Sequence, residues 1–300
     1  MAAPRTIQRF VAATSTKALQ RLIGTVDVKG KGTAHALAGV DPVVLCDAAT
    51  VMGKGKPAFG MHPHYGLIAC TTVVQGGFTD GDNLNPPNDH INREGGIYLV
   101  SAGRGVCHQE ASGLEGKHIA VQTIFKIPED KKHLPPELIR VEPSDIPDLG
   151  LSGGTAKLLV GHLGDIASPA KVQALPRVVV LMVTANANSK MEIPFDADLE
   201  HGFAYVIAGK CKLGGGEEWC EAEKGLWLFG EGASLGVEAG EEGAKLFMIA
   251  GKPLNEPWVK TLGNNGFIIT RDEAEGDAVM KVIHETGNDF SFQKLEGMTL

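Results

Sequence analysis

The sequence lacks any run of apolar residues long enough to cross a membrane as a helix, so no membrane span is expected. It also lacks basic excess: 28 Lys and Arg stand against 36 Asp and Glu, for a formal net charge of -8. A protein that binds nucleic acid directly needs a basic face to displace phosphate counterions, so that class is not expected either. There is no C-x-x-C, and the five cysteines are odd in number. That usage argues against a disulfide framework and for a reducing, cytoplasmic compartment, with the nucleus open as well in a eukaryotic cell. The opening "MAAPRTIQRFVAATSTKALQR" lacks the apolar core of a secretory signal, and "RTIQRF" within it reads as a first strand. Helix is scarce too. Only "TRDEAEGDAVMKVIHETG" (270–287) carries helix signals, with Thr270 as the expected N-cap, acids in the first turn and a glycine after the last.

What is present is punctuation. The 39 Gly and 16 Pro break the chain into short apolar runs, and 43% hydrophobic content is too high for disorder. The runs include "DPVVLCD", "LIACTTVVQGG", "GGIYLVSAG", "HIAVQTIFKI", "RVVVLMVTA", "FAYVIAG" and "AKLFMIAG". They are rich in Val, Ile and aromatics and closed by Gly or Pro, the signature of an all-β sandwich or barrel rather than of βαβ units. A weak echo runs through them. "TTVVQGG" (71–77) resembles "AYVIAGK" (204–210), and "GGIYLVSAGRG" (95–105) resembles "GLWLFGEG" (225–232). The pattern predicts two related β-domains in tandem, 1–135 and 136–300, joined within the Pro-rich and charged stretch 127–154.

The chemistry concentrates in two places. In "FGMHPHYGLIAC" (59–70), His62 and His64 stand two apart, and on a strand residues two apart share a face. That spacing permits joint metal ligation without requiring it. In "SAGRGVCHQEAS" (101–112), His108 and Glu110 repeat the spacing. Two such pairs can bring three imidazoles and a carboxylate to one point in a barrel. Such ligands suit Fe(II), Mn, Ni, Cu or Zn better than Ca or Mg, and four of them leave two positions open on an octahedral ion. Cys46 and Cys70 lie in apolar runs and read as core; Cys107 differs because it adjoins His108. His90 reads as a loop residue, His118, His133, His162 and His284 lack a partner at ligand spacing, and "GRG" (103–105) reads as a sharp turn.

"HPHYG" followed by "SAGRGVCHQE" resembles the pirin family of bicupins, whose pattern runs H-P-H-R-G and then T-A-G-R-G-I-x-H-x-E. The resemblance continues through "QRLIGT", "DPVVLCD", "GEGASLGVEA" and "KLFMIAGKPLNEPWVKTLGNNGFIIT" into the terminal helix, nearly the whole chain. It implies two cupin domains of jelly-roll type with a short C-terminal helix, and Fe(II) held by His62, His64, His108 and Glu110. No matching ligand set stands in the second domain, where the H-P-H positions would fall near Phe195 and Ala197, so that cupin is expected to be metal-free. The sequence departs from the family at Tyr65, where Arg is usual, and at Leu67 and Ile68, which replace Phe-Glu. These three are expected to give a less charged pocket mouth, although Leu67 and Ile68 alternate so that only one can face the cavity, and Tyr65, opposite His64, is open to shaping the outer surface instead.

Three functions follow from the resemblance. One is a metal-dependent dioxygenase resembling quercetinase, taking O2 and a flavonol-like or smaller enol or aromatic substrate, with Glu110 as proton acceptor. Another is a redox-responsive regulator of a protein partner such as a transcription cofactor. The third is a metal-binding bicupin without catalysis. A monomer is expected.

Overall fold

A computed structural model describes residues 3–15, 19–28, 32–35, 40–55, 57–84, 90–263 and 266–296. The short apolar runs are strands, as their length and β-branched content dictate. Several show no polar alternation because both faces are covered. Leu67–Gln75 is buried at every residue but the last, and Ile97–Ser101 throughout. One α-helix is present among the described residues, Glu273–Thr286. Its N-cap is Asp272, whose side chain accepts from the Glu275 amide, and not Thr270. Thr270 still ends the preceding strand, and its hydroxyl donates to the Asp272 carbonyl, so the helix starts two residues later than its sequence signal suggests.

The protein is mostly β and holds two cupin units. In the first, five strands lie in the antiparallel order Glu137–Val141, Ile97–Ser101, Leu67–Gln75, Lys117–Lys126, Val43–Met52. A second sheet has the order Ile91–Arg93, Gly77–Asp82, Val106–Ser112, Pro57–His64. In the other unit the order is Ile7–Ala12, Gly225–Phe229, His201–Leu213, Ser234–Gly251, Val178–Ala185, Gly154–Val160. Ile97–Ser101, Leu67–Gln75, Lys117–Lys126 and Val43–Met52 stand in the same order as Gly225–Phe229, His201–Leu213, Ser234–Gly251 and Val178–Ala185. The sequence echo is real in this sense: its segments fall on paired strands, Leu67–Gln75 with Ile97–Ser101 and His201–Leu213 with Gly225–Phe229.

The units are interleaved rather than split once between 135 and 136. One comprises residues 1–44, 144–171 and 177–253, and the other residues 45–143, 172–176 and 254–300. The edge strand of the later cupin therefore comes from the start of the chain, and the helix of the earlier cupin from its end. Near the N-terminus, Arg5 is fully buried in the later cupin, its guanidinium over the rings of Phe195 and Phe229 and donating to the carbonyls of Gly230 and Leu199. An N-terminal arginine thus packs on Phe195.

Strand alternation sets the two sides of the sheet that bears His62, His64 and His108. Met61, Tyr65 and Cys107 project from one face and pack in a cluster with Val279, Met280, Val282 and Ile283 of the helix and with Phe290 and Leu295 beyond it. Each of these buried aliphatic side chains contributes about 1.5–3 kcal/mol to the docking. His62, His64, His108 and Glu110 project from the opposite face, toward the sheet that carries Thr71 and Tyr98.

Candidate metal centre

His62 and His108 are direct cross-strand partners, and His64 follows two residues on. Ligand atoms of His62, His64 and His108 all lie within 4.8 Å of one another, and the three rings are buried. Their tautomers are fixed by the backbone. His62 Nδ1 lies 2.6 Å from the Gly60 carbonyl oxygen, and His64 Nδ1 2.9 Å from that of Phe267. A carbonyl only accepts, so each Nδ1 carries the proton and each Nε2 keeps a lone pair. The two Nε2 atoms are 3.0 Å apart. Two lone pairs facing each other at that distance repel unless a cation takes both. His108 adds a fully buried ring on which neither nitrogen has a hydrogen-bond partner. Burial holds all three neutral: it pulls His62 down, takes His64 to about 3 and puts His108 well below the usual value, with neighbouring imidazoles adding to the last two. A neutral imidazole with a free Nε2 is the ligating form. The donor set fits a borderline transition metal.

Glu110 is not part of that cluster. The pairing of Val106–Ser112 with Pro57–His64 slips between His108 and Glu110, and this irregularity re-aims the carboxylate. Its Oε1 accepts from the Thr71 hydroxyl at 3.2 Å, while its Oε2 is buried without a partner. Burial pushes the carboxyl up to about 7, opposed by hydrogen bonds from Thr71 and Gln122 and assisted by the charge of Asp80.

The interior beside these groups is a polar layer that the sequence reading missed. Arg140, Tyr98, Thr71 and Gln122 are successive cross-strand partners and so form one row on one face. On the other sheet Asp82 is opposite His108 and Asp80 opposite Glu110. Asp80 is bound by Arg140 and by Asn92, the latter at 2.5 Å. The two acids in "TDGDN" have the same two-residue spacing as the histidines, and that spacing was the signal available. The Phe267 carbonyl could not be found so, because it lies 203 residues from His64.

The departures at Tyr65, Leu67 and Ile68 do not form a pocket mouth. Tyr65 is 3% exposed, lies under the helix and donates to Glu275 at 2.7 Å. Ile68 is fully buried on the face opposite Thr71, and Leu67 is fully buried on the same face as Thr71. Cys107 is structural: it packs under the helix, and burial pushes its thiol up to about 12. His118 is buried and accepts from the Gly77 amide, and His90 pairs with Glu142 at 3.1 Å.

Two family models match the chain, Pirin over residues 26–124 and the Pirin C-terminal cupin domain over residues 180–273. The chain belongs to the pirin family. This pirin is 26% identical over 229 residues to a protein of Pseudomonas aeruginosa named as a putative quercetin 2,3-dioxygenase, covering 73% of this chain and 78% of that one. Its fold matches the crystal structure of quercetin 2,3-dioxygenase from Acinetobacter baumannii with a TM-score of 0.78 at 20% identity, over 97% of this chain and 100% of the other. It also matches a bacterial pirin from Escherichia coli in complex with nickel(II), with a TM-score of 0.61 at 14% identity, over 84% and 100% of the two chains.

Proposed function

We propose that this pirin is a metal-dependent dioxygenase, with Fe(II) as the resident metal, acting on an enolic or phenolic substrate of the flavonol type or smaller. The observation that carries the reading is the pair of facing Nε2 lone pairs beside the unpartnered ring of His108. Glu110 completes the proposed ligand set, supported by its buried and unpartnered Oε2. The metal, when bound, supplies Lewis acidity toward a substrate oxygen and a place for O2.

The chain's own groups do the rest. The Gly60 and Phe267 carbonyls hold the His62 and His64 rings in their ligating orientation. Glu110, with its carboxyl pushed up to about 7, is matched to take the proton of an enol or acidic phenol near neutral pH. Val73, Phe78 and Ala120 form a buried apolar cluster that excludes water from one end of the interior. A regulator sensing iron oxidation at its surface is the poorer reading, since His64 is 2% and His108 0% exposed.

The test is metal analysis and O2 uptake on protein loaded separately with Fe(II), Mn(II), Ni(II) and Zn(II), offered flavonols and small diketones. The expected result is about one metal per chain, lost in His62→Ala and His108→Ala, with substrate-dependent O2 uptake for a redox-active metal. Metal retained by both variants, or no uptake with any substrate, overturns the reading.

A further inference from the structure

Among the described residues of this cupin, the nitrogens of His108, Oε2 of Glu110 and the hydroxyl of Tyr98 are buried beside the metal centre with no hydrogen-bond partner; Thr72 Oγ1 and His118 Nε2 are also unpartnered. A metal accounts for the first two. It does not account for the third, because a neutral phenol is not part of the proposed ligand set. An unpaired buried hydroxyl costs stability, and such groups in a folded protein point to something that is to be bound.

The placement of Tyr98 is specific. Its ring centroid is 6.5 Å from that of His108, and the Arg140 guanidinium lies over the same ring, 5.2 Å from its centroid. Its hydroxyl has the carboxylates of Asp80, Asp82 and Glu110 in electrostatic range, and burial first and these charges second hold the phenol protonated. It is therefore a donor. Asp80 is bound by Arg140 and Asn92, one Asp82 oxygen accepts from the Leu84 amide, Glu110 Oε1 accepts from Thr71, and Glu110 Oε2 is the atom assigned to the metal in the proposed ligand set. The row across the sheet leaves Tyr98 as its unmatched donor on the metal side.

We propose that the Tyr98 hydroxyl is a specificity-determining hydrogen-bond donor to substrate, taking the second oxygen of a molecule with two oxygens on adjacent carbons, such as a catechol or an enolised 1,2-dicarbonyl. This rests on the dioxygenase reading above, in which the first oxygen sits at the metal's open position. Adjacent oxygens in a flat molecule diverge by only a few ångströms, which matches a donor one ring away from a ligating histidine. The apolar residues flanking the polar layer, Val73, Phe78 and Ala120, suit the unsubstituted side of such a ring.

The experiment uses full-length protein loaded with Ni(II) under argon and titrated with 4-nitrocatechol, whose visible absorption changes on deprotonation and binding. Wild type and Tyr98→Phe are compared, with 4-nitrophenol as the one-oxygen control. Tyr98→Phe should weaken nitrocatechol about tenfold or more and leave nitrophenol unchanged. Metal content should stay the same, and because an unsatisfied hydroxyl is removed, the midpoint of urea unfolding should stay or rise. A merely structural tyrosine would instead lower that midpoint. Equal nitrocatechol binding by both proteins overturns the role of Tyr98 while leaving the functional reading in place. Failure of the metal-loaded wild type to bind nitrocatechol overturns the open coordination site, and the proposal with it.

Discussion

Lowering the pH from 7 to 5 separates a three-histidine site from one that includes Glu110. Ordinary exposed histidines titrate near 6.5, so protons would compete with metal at each ring and three together would weaken binding by about 10⁴-fold over this interval. The rings here are different. His64 is held to about 3 by burial and His108 well below its usual value, with His62 shifted in the same direction. His64 and His108 are already neutral in the metal-free fold and have few protons to give up. Glu110 is the group that does titrate, with its carboxyl pushed up to about 7. If it ligates, binding must expel its proton, and affinity falls about 50-fold from pH 7 to pH 5, approaching one proton per metal. Calorimetric titration with Ni(II) in two buffers of different ionisation enthalpy counts that proton directly. A count near zero removes Glu110 from the ligand set. A count near three at pH 5 would falsify the claim that burial keeps the imidazoles neutral.

Tyr65→Phe keeps the ring packed under the helix but leaves Glu275 Oε1 without its donor, so urea unfolding should show a loss of about 1.5–3 kcal/mol. A change smaller than about 0.5 kcal/mol means that the hydroxyl contributes no net stability. Gly266→Ala would place a Cβ 2.3 Å from the Pro63 carbonyl oxygen, forcing the C-terminal hairpin off the ligand strand. His64 then loses the Phe267 carbonyl, and metal affinity should drop about 10–100-fold in a chelator competition. Unchanged affinity would show that the hairpin does not orient His64. Asp272→Ala removes the helix cap and should cost about 1 kcal/mol of stability without changing metal content, whereas Thr270→Ala should leave the capping bond to the Glu275 amide in place.

The histidine cluster was legible in part because strand geometry is local. Residues two apart share a face, so the H-P-H spacing puts His62 and His64 on one side, and the structure brings His108 to them. The all-β class was legible for the same reason, from short runs closed by turn residues. What could not be read is register between distant strands. Only pairing shows that Asp82 stands beside His108 and that Tyr98 lines up with Thr71 and Gln122. The register slip between His62/His108 and Phe59/Glu110 has Gly60 on its longer side, but one glycine among 39 does not mark a bulge in the sequence. Tyr65 was legible as lying on the face opposite His64, because a single step along a strand reverses the side chain, but what covers that face was not, since it is a helix some 210 residues away.

The interleaving of the units has a consequence for synthesis of the protein. His64 leaves the ribosome 203 residues before Phe267, the residue whose carbonyl fixes its tautomer. At about 5–20 residues per second, that interval is about 10–40 s. Once His108 has emerged, the nascent chain holds three imidazoles, His64 without the carbonyl that fixes its tautomer, and no helix behind Tyr65 and Cys107. Any metal met during that time meets a floppy chelator whose choice follows general affinity, which favours copper and zinc over iron. The shaped site exists only after the last fifth of the chain has docked. Selective metallation therefore belongs to the finished protein, and a chain cut short before Phe267 should bind metal with the preferences of a histidine-rich peptide rather than those of a cupin.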